Sequence, residues 1–238
     1  MKVYVKHDKL KNHLLSENLK GIEFVDDIHS ANFIIDGSYK EEDYNDNLKG
    51  VIIPYTGHNR IDLEAMRKHD LMLYVTPTRS PFVAEKAVTL ALALLGNTIT
   101  YHNLLRQGNW SDRNSEKRVP WVSMLNMKVG LFGYGRIGTK IHELLKGFTN
   151  DFYIINRGKV YPKEVKTVNN LSELVDVSDI IIISAPLNKT TKQIFDQSIL
   201  SKMKDKYIIN VGRGLIVKEE DLYNALKNKT LKGYASDV

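Results

Sequence analysis

The chain has 238 residues, 42% of them apolar and 26% charged, an ordinary globular composition with room for one large or two small domains. It contains no cysteine, which excludes disulfides, Cys-ligated zinc and thiol catalysis and fits a reducing, cytoplasmic setting. The net charge of +6 comes from lysines interleaved with acids, as in KEEDLYNALKNK, so a solvated lysine-rich surface is expected and no nucleic-acid partner.

The N-terminus, MKVYVKHDKL, lacks the long apolar core of a signal peptide. The longest apolar stretch, Ala87 to Leu95, is too short to cross a bilayer, so no membrane partner is expected. Met1 to Val5 alternates as a strand, and the segment to Lys20 carries Leu10, Leu14 and Leu15 as a helix. Short apolar runs at Phe24-Val25, Phe33 to Ile35, Val51 to Ile53 and Leu71 to Val75 predict buried strands, with a helix carrying Leu63, Ala65 and Met66 before the last. Phe82 to Leu95 predicts a buried helix, and a second helical stretch runs to about Arg106. The loop Gln107 to Val119 is polar and ends at Pro120 before Trp121.

The alternation then repeats. Strands are predicted at Val129 to Phe132, Phe152 to Ile155, Ile180 to Ser184 and Ile208 to Val211, and a last one begins at Gly233. Helices include Leu171 to Val175 and Asp221 to Leu226. Ile180 to Ile183 shows no polar alternation, so both faces of that strand should be covered. Strands alternating with helices predict an α/β chain of two Rossmann-like or flavodoxin-like domains with parallel sheets. The expected division is 1–95 for a substrate domain and 96–238 for a doubly wound dinucleotide-binding domain.

Gly133-Tyr134-Gly135-Arg136-Ile137-Gly138 follows the strand Val129 to Phe132, and Ile141, Leu144, Leu145 and Phe148 follow at helical intervals. Strand, G-x-G-x-x-G and helix together are the fingerprint of a dinucleotide site. Gly133 permits the turn, Gly135 lets a pyrophosphate approach the backbone, and Gly138 lets the helix pack on the strand. The helix N-terminus then holds the anion. An NAD site usually carries Asp or Glu about 20 residues past the motif, while a nearby Arg suits a 2′-phosphate. Here the second strand ends Ile155-Asn156-Arg157 with Lys159 beyond, so NADP(H) is expected over NAD(H).

Two further strand ends should meet this motif at the crest of the sheet. One is Ser184-Ala185-Pro186-Leu187. The other is Asn210-Val211-Gly212-Arg213-Gly214, where the guanidinium can clamp a carboxylate through two parallel hydrogen bonds. Tyr55-Thr56-Gly57-His58 would offer backbone N–H groups from the first domain. His58 is the one histidine expected near the cleft and reads as a solvated loop residue, and the histidines show no metal-ligand spacing.

With these residues in place, the sequence resembles the D-2-hydroxyacid dehydrogenase family, which reduces 2-keto acids with a nicotinamide cofactor. GLFGYGRIG is similar to its nucleotide motif, SAPLNKTTKQIFD to its PLT-x-x-T segment, and NVGRGLIVKEEDLYNALKNKTLKGYASDV to its N-x-x-R-G through D-V segment. TGHNRIDLEAMRKHDLMLYVTP and Val83-Ala84-Glu85 resemble first-domain segments of the family. The resemblance implies that Arg213 is the catalytic Arg that orients the substrate, with Thr56 and Gly57 on the substrate-side loop. It implies Arg136 and Ile137 over the pyrophosphate, Asp237 beside the nicotinamide amide, and Ala185, Pro186, Thr191, Val211 and Gly212 as cofactor-lining positions. It also implies a homodimer, with an arm near Asn97 to Trp121 that includes Trp110.

The sequence departs from the family at Asn156, where the ribose-binding Asp usually stands, and at Ser184. The family's catalytic Glu and His, and the segment that returns to the first domain, would follow Val238. A chain ending there is expected to bind cofactor and to catalyse poorly. The alternative reading is a non-catalytic NAD(P)-binding, redox-sensing or corepressor-like module.

Overall fold

Short apolar runs pair in parallel to build two sheets, each belonging to its own compact unit: Met1–Arg79 and Ser80–Val238. The computed structural model describes residues 1–55, 57, 60–109 and 120–238. The division falls before the long apolar helix, earlier than the 95/96 boundary expected from sequence, because that helix packs its alanines into the second unit.

Unit 1 contains β1 (Lys2–Val5), α1 (Asp8–Ser16), β2 (Glu23–Val25), β3 (Phe33–Ile35), β4 (Gly50–Ile53), α2 (Leu63–Lys68) and β5 (Met72–Val75). Its strands are all parallel in the order β2-β1-β3-β4-β5, which places a switch point between β1 and β3. Ile34, Tyr39, Val51, Ile53, Ala65 and Met66 form its core. The Asp62 side chain caps α2 by accepting from the Glu64 and Ala65 N–H groups, and so fixes where the chain turns into that helix.

Unit 2 opens with α3 (Ser80–Leu95) and α4 (Thr98–Arg106), which meet at a 61° bend where Asn97 adopts a left-handed conformation. There follow β6 (Val129–Phe132), α5 (Arg136–Leu145), β7 (Phe152–Ile155), β8 (Val165–Val168), α6 (Leu171–Val177), β9 (Ile180–Ile183), α7 (Gln197–Leu200), β10 (Tyr207–Asn210), α8 (Glu219–Lys227) and β11 (Gly233–Ser236). The six strands are parallel in the order β11-β10-β9-β6-β7-β8, the doubly wound arrangement with its switch point between β6 and β9.

Every residue of β6, β9 and β10 is buried, as the unbroken isoleucine run required. Side chains alternate across the sheet. Ile180 and Ile182 therefore join Ala84, Ala87, Ala91, Ile141 and Leu145 on one face, while Ile181 and Ile183 join Leu171, Leu174, Leu200 and Ala225 on the other. Burying each such isoleucine contributes about 1.5–3 kcal/mol. The two layers hold the carboxyl ends of β6, β7, β9 and β10 together as one crest. Among the described residues, no single helix is long and apolar enough to cross a membrane.

Candidate functional site

The loop from β6 into α5 is shaped by its glycines. Gly133 has φ +108°, a conformation that side-chain-bearing residues rarely adopt, and a Cβ there would lie 2.6 Å from the Ala185 nitrogen. A Cβ on Gly138 would lie 2.1 Å from the Gly133 carbonyl oxygen, so only glycine lets α5 sit this close to the strand. At Gly135, by contrast, a Cβ would meet nothing within 4 Å. Gly135 is also the N-cap of α5 and supplies no side-chain cap, which leaves the amides of the first turn facing the open side. Two glycines thus close the loop against the protein, and the third leaves backbone exposed for an anion.

A cleft of about 350 Å³ lies along this loop at the switch point. Gly133, Tyr134 and Gly135 form one wall, and Ala185, Pro186 and Thr191 another. Arg157, Lys159 and Tyr161 stand at the end beyond β7, and no Asp or Glu is among the residues that line it. The Ser184 hydroxyl donates to the Gly133 carbonyl at 2.8 Å, tying the end of β9 to the glycine turn. The next turn is rigid as well: Asn188 Oδ1 accepts from the Thr190 and Thr191 N–H groups, and the Thr191 hydroxyl donates to the Pro186 carbonyl at 2.7 Å. Open backbone and two cations at one end suit an anionic, phosphate-bearing ligand.

Other expected residues sit around this cleft without lining it. Arg136 is exposed in the first turn of α5, and Ile137 packs into the core. The Asn156 side chain accepts from the Gly158 N–H at 2.9 Å, holding the turn that presents Arg157. Val211 and Gly212 are buried, and a Cβ on Gly212 would come 2.8 Å from the Ala185 carbonyl oxygen, so this glycine serves the approach of two crest loops. Asp237 is exposed just past β11, and its N–H donates to the Asn210 carbonyl. Thr56, His58 and Trp110 lie outside the described residues; Gly57 follows β4 in unit 1.

Arg213 is partly buried at the carboxyl end of β10, and its guanidinium donates to the Gly212 carbonyl at 2.6 Å. Asn210 holds it in place. This fully buried side chain accepts from the Gly212 N–H at 3.0 Å and donates to the Arg213 carbonyl at 3.0 Å and the Tyr234 hydroxyl at 3.2 Å. Sequence reading named Asn210 only as part of the strand end. A polar residue closing an apolar strand before a Gly-Arg-Gly turn was the available signal, since a buried amide must find partners.

Sequence reading also gave no part to Tyr134 and His142, which the fold pairs: the Tyr134 hydroxyl and His142 Nδ1 are hydrogen-bonded at 2.7 Å. Burial, helped by the Lys146 charge, holds the His142 imidazole below its ordinary pKa, and burial raises the Tyr134 phenol. His142 packs edge-on against Phe152, and its Nε2 finds no partner among the described residues. Tyr134 in turn packs edge-on against Tyr161.

The chain also has known relatives. A formate dehydrogenase of Chaetomium thermophilum is 30% identical over 201 residues, covering 80% of this chain and 54% of that protein. The D-lactate dehydrogenase kk1H of Curvularia clavata is 28% identical, covering 86% of this chain and 59% of that protein. The chain thus spans little more than half the length of the curated relatives it matches. The solved NAD-dependent formate dehydrogenase of Staphylococcus aureus, in complex with NAD, superposes with a TM-score of 0.70 at 29% identity, over all of this chain and 80% of that one. Residues 88–238 match the model of the NAD-binding domain of D-isomer specific 2-hydroxyacid dehydrogenases, and the chain belongs to that family.

Proposed function

We propose that the protein is an oxidoreductase that passes hydride between a nicotinamide dinucleotide, NADP(H) in preference to NAD(H), and a small 2-keto or D-2-hydroxy acid. The observation that carries this reading is the cleft at the β6/β9 switch point, where exposed backbone at Gly135 meets an uncapped helix N-terminus. Gly133, Gly135 and the first turn of α5 would hold the pyrophosphate, and Ala185, Pro186 and Thr191 the adenosine side. The bound nicotinamide supplies the hydride chemistry. Arg157 and Lys159, with no carboxylate among the lining residues, favour a 2′-phosphate over a bare ribose hydroxyl.

Arg213 is the residue for the substrate carboxylate, because a planar guanidinium grips two oxygens at once and cannot lose its charge. Asn210 sets the backbone that presents it. Thr56 and Gly57 are the candidate substrate loop of unit 1. In the full-length protein, Arg213→Ala should lower turnover of 2-keto acids by about 10²–10³-fold, the scale for losing one charge-stabilising donor, with nucleotide binding unchanged. Steady-state kinetics beside a fluorescence titration with NADPH and NADH test this. Turnover unchanged in the variant would remove Arg213 from the reaction, and absence of binding by either nucleotide would remove the reading itself.

A further inference from the structure

The loop that carries the two cations leaves β7 at Ile155 and returns at β8. Three contacts shape it. The Asn156 N–H donates to the Val168 carbonyl at 2.8 Å, tethering the start of the loop to the edge strand. The Asn156 side chain accepts from the Gly158 N–H, and Gly158 itself has φ +69°. The third contact comes from Tyr161, whose hydroxyl accepts the Arg157 backbone N–H at 3.0 Å. Tyr161 therefore caps the residue that offers the cation, while its ring lines the same cleft.

The Tyr161 ring has an aromatic neighbour. It meets the Tyr134 ring edge-on, with centroids 6.0 Å apart and planes at 73°, and Tyr134 is anchored through its hydroxyl to His142 inside α5. Tyr134 stands between Gly133 and Gly135 of the pyrophosphate turn. The buried face of α5 thus reaches the cation loop through two aromatic rings, and the last link is one hydroxyl on one backbone N–H. Val160, next to Tyr161, is wholly exposed, which leaves Tyr161 as the loop residue packed against the core.

We propose that Tyr161 is the positioning residue for nucleotide choice: its hydroxyl fixes the Arg157 backbone, aims the guanidinium at the 2′-phosphate of NADPH, and does nothing for the 2′-hydroxyl of NADH. This rests on the NADP(H) reading above and adds the device that enforces it. Arg157 and Lys159 are long flexible side chains on an exposed turn, and a charge on a loose turn is screened and gains little selectivity. Fixing the backbone beneath the charge lowers the ordering cost of the contact, which only the phosphate-bearing nucleotide makes.

The test is a double-mutant cycle in the full chain, read as dissociation constants for NADPH and NADH by fluorescence titration. Tyr161→Phe keeps the ring and removes one oxygen. It should weaken NADPH about three- to tenfold, the range for one unmade hydrogen bond, and leave NADH within about twofold. NADH binding doubles as the folding control. In an Arg157→Ala background the same change should add nothing, because the group being aimed is gone. Equal weakening of both nucleotides, an effect that adds fully to Arg157→Ala, or no change at all would each overturn the proposal. Wild-type protein that binds NADH at least as tightly as NADPH would overturn the NADP(H) reading and this proposal with it. A wild-type preference for NADPH that Tyr161→Phe leaves undiminished would overturn this proposal alone.

Discussion

At the crest of the unit 2 sheet, between β6 and β9, the backbone at Gly135 faces open space. At the corresponding place in unit 1, between β1 and β3, described side chains crowd the strand ends. There the buried Asp36 carboxylate accepts from the Gly37 N–H at 2.6 Å and the Ser38 hydroxyl at 2.7 Å, and pairs with Lys6 at 3.0 Å. The Tyr55 hydroxyl packs so tightly over Gly37 that a Cβ there would lie 1.2 Å from it. Both sheets are parallel and both have a switch point, the position where such sheets bind ligands. Among the described residues, the unit 2 crest presents open backbone and the unit 1 crest presents an ion pair and a tyrosine. The topology nominates a location, and the residues that end the strands decide whether a ligand can use it.

The sharpest way to break this comparison is to add one methyl group to each crest. Gly138→Ala would put a carbon 2.1 Å from the Gly133 carbonyl, backbone against backbone, so α5 must move off the strand. Nucleotide affinity should fall by at least about 100-fold, since the shifted helix no longer presents its N-terminus. Gly37→Ala collides instead with the end of a tyrosine side chain, and should cost about 1–3 kcal/mol of unit 1 stability with nucleotide affinity unchanged. Removing the obstruction in Gly37→Ala/Tyr55→Ala should recover part of that loss. Equal loss of NADPH binding in Gly37→Ala, measured by titration, would erase the distinction between the two crests.

A smaller effect is expected at Asp36. Asp36→Ala leaves the Gly37 N–H and the Ser38 hydroxyl without this acceptor, at about 1–3 kcal/mol. Burial pushes the Asp36 carboxyl up, but the hydrogen bonds from Ser38, Lys6 and Gly37 outweigh it and leave the pKa below the ordinary 3.8. Its ionised form therefore contributes stability that is present above pH 3.8 and lost as pH falls through the depressed value. Chemical denaturation of unit 1 across that range should show this slope in the parent and not in Asp36→Ala.

The smallest effect belongs to unit 2. His142 is held neutral, below its ordinary 6.5, so as pH drops under 6.5 the unfolded chain takes up a proton that the fold resists. Stability should be flat above pH 6.5 and decline below it, by on the order of 1 kcal/mol per unit of pKa depression. His142→Leu should remove that decline in unfolding curves taken at pH 7.5 and pH 5.5. A parent protein equally stable at both would show that His142 titrates normally.

Much of the architecture was readable from apolar runs. Ile180 to Ile183 announced a strand covered on both faces, and β3, β4, β6 and β7 lie where continuous apolar residues were found. Two elements of unit 2 were not legible. In β8 Lys166 and Thr167 interrupt the pattern, because an edge strand needs only its two ends in the core. In α7 four residues are too few for helical periodicity to show. The motif residues Gly133, Gly135 and Gly138, and the pairing of Arg157 with Lys159 at one end of the cleft, were legible because each is local in the chain.

The sequence by itself determined the alternation of strand and helix, the glycine turn and the Asn156-Arg157 pair where an acid often ends the second strand, since these depend on neighbours a few residues apart. Only the tertiary structure decided that Asp36, Lys6 and Tyr55 crowd one crest, that Ser184 pins the Gly133 turn, and that Tyr134 links His142 to Tyr161. Those contacts join residues brought together by parallel crossovers. A crossover fixes which strand ends meet through the summed burial of a whole sheet, a quantity no local stretch of chain carries.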